Sequence, residues 1–235
     1  MILKFTCEYN GKEFCGFQRQ KNSRTVQQVL EDALSRYFGE QVKIAGSGRT
    51  DSGVHAKGQV CSFQISNTSS RAALVPPLYS GRTSLFKICA SVNAFLPLDV
   101  SVRDFEIMPD NFHAQFSAKA KTYVYRCYVS QYRSALRQDT HMQLFRPPNL
   151  EEMRSRAAEF IGTRSFKDFC AETSDSKGFI RTIYEFDVKV FDDEVHFIIR
   201  GDGFMRKMVR IMCGAVLGLN KTLPAHGLVL ESVEY

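Results

Sequence analysis

The order in which two apolar periodicities alternate along the chain constrains its fold most tightly. Residues 1–9 alternate by twos, with Leu3, Phe5, Cys7 and Tyr9 on one face and Lys4, Thr6 and Glu8 on the other, as in a half-buried strand. Tyr9-Asn10-Gly11-Lys12 signals a turn. Thr25 then opens a helix in which Val26, Val29, Leu30, Ala33, Leu34, Tyr37 and Phe38 recur at spacings of three and four, and Gly39 closes it. Val42 to Ala45 reads as a short apolar strand, the run around Asp51 as a glycine-rich loop, and Gln59 to Ile65 as another alternating strand. Residues 66–84, rich in Ser, Arg, Pro and Gly, read as a surface loop. Val100 to Ile107 and Thr122 to Val129 are further strands. Asn149 caps a helix with the stripe Leu150, Met153, Ala157, Phe160 and Ile161. Ile183 to Phe191 and Val195 to Arg200 flank Asp192-Asp193-Glu194 as a hairpin. Phe204 to Leu217 reads as a third helix and Leu228 to Tyr235 as a closing strand. The theme strand–helix–strand–strand repeats after about residue 105. It predicts an α+β chain of two similar α/β halves, 1–105 and 106–235, with mixed, largely antiparallel sheets. A doubly wound parallel sheet fits poorly, because adjacent strands are often joined by turns rather than helices.

Cysteine and histidine usage narrows the chemistry. Cys7, Cys15, Cys61, Cys89, Cys127, Cys170 and Cys213 stand singly, without a Cys-x-x-Cys pair. With no signal-like apolar block at the start and no run approaching a membrane span, this predicts a cytoplasmic protein with reduced thiols, nearly all of them buried. The five histidines are dispersed without His-x-x-x-His or His-x-Glu spacing, so a metal site has little support. The net charge of +6 is modest, but its distribution is uneven. Three stretches lack acidic residues: 14–30 with Arg19, Lys21 and Arg24; 111–138 with Lys119, Lys121, Arg126, Arg133 and Arg137; and 203–223 with Arg206, Lys207, Arg210 and Lys221. Brought together by the fold, they would form a phosphate-binding groove.

One loop stands out chemically. Gly46-Ser47-Gly48 turns the chain after a strand and Asp51-Ser52-Gly53 turns it again, leaving Arg49, Thr50 and Asp51 between the turns. The Gly-x-Gly-x-x-Gly spacing of a nucleotide loop is absent, and no Lys-Ser or Lys-Thr follows. Taken alone, the run fits a tight surface turn, in which Asp51 bonds its own backbone, as well as it fits a reactive carboxylate.

The surrounding motifs break that tie. Tyr9-Asn10-Gly11-Lys12-Glu13-Phe14-Cys15-Gly16-Phe17-Gln18-Arg19-Gln20, Thr25-Val26-Gln27-Gln28 and Gly48-Arg49-Thr50-Asp51-Ser52-Gly53-Val54-His55-Ala56 occur in register. They are followed by Val92-Asn93-Ala94-Phe95-Leu96-Pro97, Phe112-His113-Ala114-Gln115-Phe116-Ser117-Ala118, Lys121-Thr122-Tyr123-Val124-Tyr125, Phe166-Lys167-Asp168-Phe169 and the block from Gly201 to Gly214. In this ordered set the chain resembles the tRNA pseudouridine synthases of the TruA type. The resemblance implies the pseudouridine synthase fold, with two halves meeting at a central RNA-binding cleft. It also implies an isomerase that needs no cofactor and no metal, acts on the tRNA anticodon stem-loop around positions 38–40, and works as a homodimer. The base is detached at its N1–C1′ bond, rotated and rejoined through C5.

The resemblance makes Asp51 the nucleophile, whether it attacks ribose C1′ or uracil C6 or assists elimination. An ionised carboxylate needs a nearby positive charge, for which Arg210 is the candidate and Arg206 the fallback. Tyr123 corresponds to an active-site tyrosine that stacks on the uracil and relays a proton. Tyr125 is expected to be structural, as is the block around Phe166. Arg49 corresponds to an arginine that holds the target nucleotide out of its stack, and His55 and His113 fix loop and RNA-backbone geometry. Two departures are visible: Phe17 stands where tryptophan is usual, and the connection at 218–226 is short for the family. The competing readings are a non-catalytic tRNA-binding or tRNA-folding protein on the same scaffold, and a synthase for another RNA.

Overall fold

The structure is a computed structural model, which describes residues 1–66, 82–171 and 178–235. By its internal contacts the chain divides into two units, Met1–Ala118 and Lys119–Tyr235. Residues 106–118 therefore go with the first unit, where Ala114 N–H donates to Ser62 Oγ at 3.1 Å.

In the first unit, strand β1 (Ile2–Tyr9) lies between β3 (His55–Gln64) and β4 (Val100–Met108), antiparallel to both, and the two-residue β2 (Ala45–Gly46) pairs with β3. The alternation read in residues 1–9 is realised: Leu3, Phe5, Cys7 and Tyr9 are all buried. Phe5 stacks on Phe105 at 5.1 Å between ring centroids and meets Phe63 edge-on. Helix α1 (Val26–Phe38) starts at Thr25, whose side chain accepts from Gln28 N–H, and stops at Gly39. Its buried stripe includes Val26, Leu30, Ala33, Leu34, Tyr37 and Phe38, while Val29 is only half-buried.

Two sequence expectations fail here for physical reasons. Val42 and Ile44 are buried but form no strand. Their N–H groups donate instead to side chains of α1, Val42 to Ser35 Oγ at 2.9 Å and Ile44 to Glu31 Oε1 at 3.2 Å. Residues 82–84, expected within a surface loop, begin helix α2 (Arg82–Asn93). The apolar residues of α2 do not share one face: Ile88 and Val92 are buried whereas Phe86 is exposed, so the periodicity is blurred. The remainder of that expected loop, 67–81, lies outside the described residues. Asn93 closes α2 against β4, accepting from Val102 N–H at 2.8 Å and donating to Val102 O at 2.7 Å.

In the second unit the strand order is β10 (Leu228–Glu234), β5 (Ala120–Val129), β9 (Glu194–Gly201), β8 (Ile180–Phe191), β7 (Gly162–Ser165), all antiparallel. Short β6 (Met142–Leu144) pairs parallel with β5. The sheets are thus mixed and largely antiparallel, as the α+β reading expects. The hairpin of β8 and β9 turns at Asp192, whose φ is +52°. Helix α3 (Leu150–Ala158) is capped by Asn149, which accepts from the N–H groups of Glu151 and Glu152; its stripe holds at Met153, Ala157 and Phe160, while Ile161 is exposed. Helix α4 (Met208–Val216) starts later than expected, because Phe204 to Lys207 form a turn that ends with Lys207 at φ +60°. No helix among the described residues is long and apolar enough to cross a membrane. Of the seven free thiols, Cys7, Cys61, Cys127 and Cys213 are buried, Cys89 and Cys170 are half-buried and Cys15 is exposed, so fewer are buried than expected. Burial pushes the Cys127 thiol up to about 12.

The short connection after α4 is closely tied down. Leu219 N–H donates to Gly214 O at 2.8 Å, and the buried Leu223 carbonyl accepts from Arg210 Nε at 2.7 Å. A Cβ on Gly214 would stand 2.3 Å from the Lys221 carbonyl oxygen, so only glycine admits this close approach. The hydroxyl of fully buried Tyr125 donates to Pro224 O at 2.9 Å. A Tyr125→Phe substitution strands that carbonyl and is expected to cost about 1 kcal/mol. Urea unfolding checks this as a lowered midpoint with an unchanged slope.

Candidate active site

The Asp51 loop is held from outside itself. Between β2 and β3 its first turn is fixed by Gln59, fully buried in β3. Gln59 Oε1 accepts from Ser47 Oγ at 2.5 Å, and Gln59 Nε2 donates to Gly48 O at 2.8 Å. Ser47 N–H donates to Val60 O at 2.7 Å.

The next residues are clasped by segment 9–18. The hydroxyls of Tyr9 and Thr50, both buried, share a 2.8 Å hydrogen bond. Phe17 N–H donates to Thr50 O at 3.1 Å, and Ser52 Oγ donates to Phe14 O at 3.1 Å. Gly16 sits at φ +91°, and a Cβ there would come within 2.9 Å of Thr50 O, so both its conformation and its space demand glycine. The clasp is itself anchored to the start of α1, where Val26 N–H donates to Gly16 O and Gln27 N–H to Phe17 O.

Asp51 therefore projects from a backbone fixed on both sides, with Val54 N–H donating to its carbonyl at 3.2 Å and the side chain half-buried. Phe17, where tryptophan is usual, is buried beside Tyr9 with ring centroids 6.4 Å apart, so an aromatic fills the place.

Its neighbours divide by exposure. Arg49 is exposed and donates to Gln18 Oε1 at 3.3 Å, which leaves its guanidinium accessible to a large substrate. His55 is buried, and its Nδ1 accepts from Gly11 N–H at 3.0 Å, so it braces the loop from within. His113 organises its own turn: Nδ1 accepts from Gln115 and Phe116 N–H, and its ring stacks on that of the exposed Phe116 at 4.4 Å.

In the second unit, Tyr123 on β5 is buried and meets Phe204 edge-on, ring centroids 5.2 Å apart. Arg210 is half-buried in the first turn of α4, with Nε committed to Leu223 O, which fixes the plane of the guanidinium. Arg206 is exposed in the turn before α4. Tyr125 differs sharply from Tyr123: with its hydroxyl on Pro224 O, burial pushes the phenol far above its ordinary range. It is a packing residue, as expected.

The acid-free stretches are not acid-free in space. Arg24 makes a bidentate pair with Asp99 at 2.8 and 2.9 Å and lies over the Phe14 ring, and Arg19 pairs with Glu31 and Asp32. Arg137 pairs with Asp193 at 2.7 Å.

Residues 6–117 and 157–223 match the family described as tRNA pseudouridine synthase. The chain belongs to that family. A tRNA pseudouridine synthase A 1 of Bacillus cereus (strain ATCC 14579) is 35% identical over 99% of this chain and 98% of its own length. The tRNA pseudouridine synthase A of Geobacter sp. (strain M21) is 37% identical over 92% and 81%, and that of Clostridium acetobutylicum (strain ATCC 824) is 34% identical over 99% and 99%. The Bacillus alignment runs over 256 positions against 235 residues here, so this chain carries gaps within it. Enzymes of this family are isomerases, and this chain is one by membership.

The first matched segment contains both the Asp51 loop and the clasp that holds it, and the second contains Arg206 and Arg210. Tyr123 lies between the two. Residues that the sequence reading passed over now have work: Tyr9, Gly16 and Gln59 position the loop, and the only signal for Gln59 was a polar side chain inside an apolar strand. A Tyr9→Phe substitution leaves the Thr50 hydroxyl buried without this partner and is expected to cost about 1–3 kcal/mol in thermal or urea unfolding.

Proposed function

We propose that this chain isomerises uridine to pseudouridine in the anticodon stem-loop of tRNA, around positions 38–40, with the Asp51 carboxylate as nucleophile. The observation that carries the reading is the over-determined loop: a half-buried carboxylate on a backbone that segment 9–18 and strand β3 both hold in place. Such rigidity is what nucleophilic catalysis requires, since a misplacement of about 1 Å costs on the order of 100-fold in rate. A turn that merely capped its own backbone would need no such clasp.

The other roles follow the chemistry. Arg210, its plane fixed by the Leu223 carbonyl, supplies the positive charge that keeps the nucleophile ionised. Tyr123 offers a ring for the uracil face and a hydroxyl for proton relay. Exposed Arg49 and Arg206 engage the extruded nucleotide and its phosphates, with His113 shaping the neighbouring turn. The Arg24–Asp99 pair lies near the surface and is worth at most about 1 kcal/mol, so phosphate oxygens can replace that carboxylate on tRNA binding, whereas the exposed Arg19 pairs with a buried Glu31. A homodimer acting in the cytoplasm completes the reading, on the family resemblance.

When C5 bonds to C1′, the hydrogen on C5 is lost to solvent, which provides the test. The wild type and Asp51→Asn are incubated with tRNA tritiated at uracil C5, and released label and tRNA binding are both measured. The wild type is expected to release tritium and the variant none, with both binding tRNA. Binding without release by the wild type would make the chain a tRNA-binding protein. Release mapped outside positions 38–40 would reassign the substrate. In the same assay Tyr123→Phe is expected to slow release, whereas Tyr125→Phe leaves it unchanged.

A further inference from the structure

The sequence scatters the histidines, but the second unit gathers two of them around one carboxylate. Glu194 and His196 stand two apart on β9 and so share a face, and His141 immediately precedes β6. Glu194 Oε2 lies 2.8 Å from His196 Nε2 and 3.4 Å from His141 Nε2. All three potential donor atoms fall within 4.8 Å of one another, and all three residues are half-buried.

From this geometry we propose that His141, Glu194 and His196 bind one divalent transition-metal ion of the zinc class. Tetrahedral zinc ligands at bond lengths of about 2.0–2.1 Å stand roughly 3.3 Å from each other, so rotations of about 1 Å at the side-chain tips complete the set. Two imidazoles and a carboxylate suit zinc, cobalt or nickel, and poorly suit magnesium or calcium. Arg126, opposite His196 in the β5–β9 register, acts on His141 as a like charge against a cation, and the remaining contacts favour ligation. The Thr140 hydroxyl lies 2.8 Å from His141 Nδ1, and accepting the proton there leaves Nε2 with its lone pair towards Glu194. Arg137 faces the other carboxylate oxygen, Oε1, at 3.6 Å, so Oε2 is turned to the rings, and Asp193 offsets its charge at 2.7 Å. The backbone of His141 is held by His226 Nε2 on its carbonyl at 3.1 Å. On binding, the ion takes the place of the proton that His196 Nε2 shares with Glu194, which leaves to solvent. It would then staple the segment before β6 to the β8–β9 hairpin. This site is separate from the chemistry assigned to Asp51 and stands without it.

Cobalt(II) tests the proposal, because its spectrum reports the ligands. The full chain, kept reduced, is titrated with cobalt(II), and thermal unfolding is followed with and without zinc(II). Expected are one equivalent bound, visible d–d bands without thiolate charge transfer, and a rise in Tm with zinc. His196→Ala is expected to weaken affinity by at least about 100-fold and to abolish the Tm rise, with circular dichroism verifying its fold. Glu194→Gln, which keeps size and hydrogen bonding, provides a second variant with the same expectation. Absence of cobalt bands, a thiolate band from one of the free cysteines, or binding unchanged in both variants would overturn it.

Discussion

The hydrogen bonds that cross from residues 9–18 to residues 50–52 set the terms for the first unit. A loop of Gly, Ser, Arg, Thr and Asp has too little apolar surface to fold on its own and too many donors and acceptors to leave unpaired. Here the clasp supplies both: the Tyr9 hydroxyl against Thr50, Phe17 N–H on Thr50 O, and the Phe14 carbonyl under Ser52. Because β1 feeds the clasp and α1 anchors its far end, the core strand, the first helix and the Asp51 loop are coupled by five hydrogen bonds. That coupling explains why the opening motif and the Asp51 motif occur together. Gly11 and Gly16 are the points at which the two backbones approach too closely for a side chain.

The second unit solves a different problem. Tyr123 and Tyr125 share a strand and a face, yet one presents its ring beside Phe204 while the other is sealed against Pro224. The distinction rests on the connection after α4, which folds back tightly enough for its carbonyls to occupy both Tyr125 and Arg210. This connection thus holds the guanidinium in a defined plane.

Much of this was legible along the chain where structure depends on neighbours in sequence. The alternation of β1, the Thr25 and Asn149 caps and the hairpin at Asp192 follow from local periodicity and turn chemistry. What escaped depends on partners distant in sequence. Val42 and Ile44 have the composition of a strand, but α1 takes their backbone donors. Helix α2 exposes Phe86 and so hides its period. Stretches without acidic residues meet carboxylates from elsewhere, as Arg24 meets Asp99. In the cluster of His141, Glu194 and His196, His141 stands more than fifty positions from the other two, beyond any spacing rule. Asp51 is singled out only through its companion motifs, because the run from Gly46 to Gly53 alone fits an ordinary turn.

The role proposed for Asp51 depends on where its carboxylate stands as well as on its charge, and one substitution separates the two. Asp51→Glu keeps the charge and moves it by a methylene on an unchanged backbone. Single-turnover formation of pseudouridine in tRNA, measured alongside tRNA affinity, is expected to fall by about 100-fold or more while affinity stays at the wild-type value. A rate close to wild type would contradict the account, because the clasp around the loop would then have no catalytic purpose.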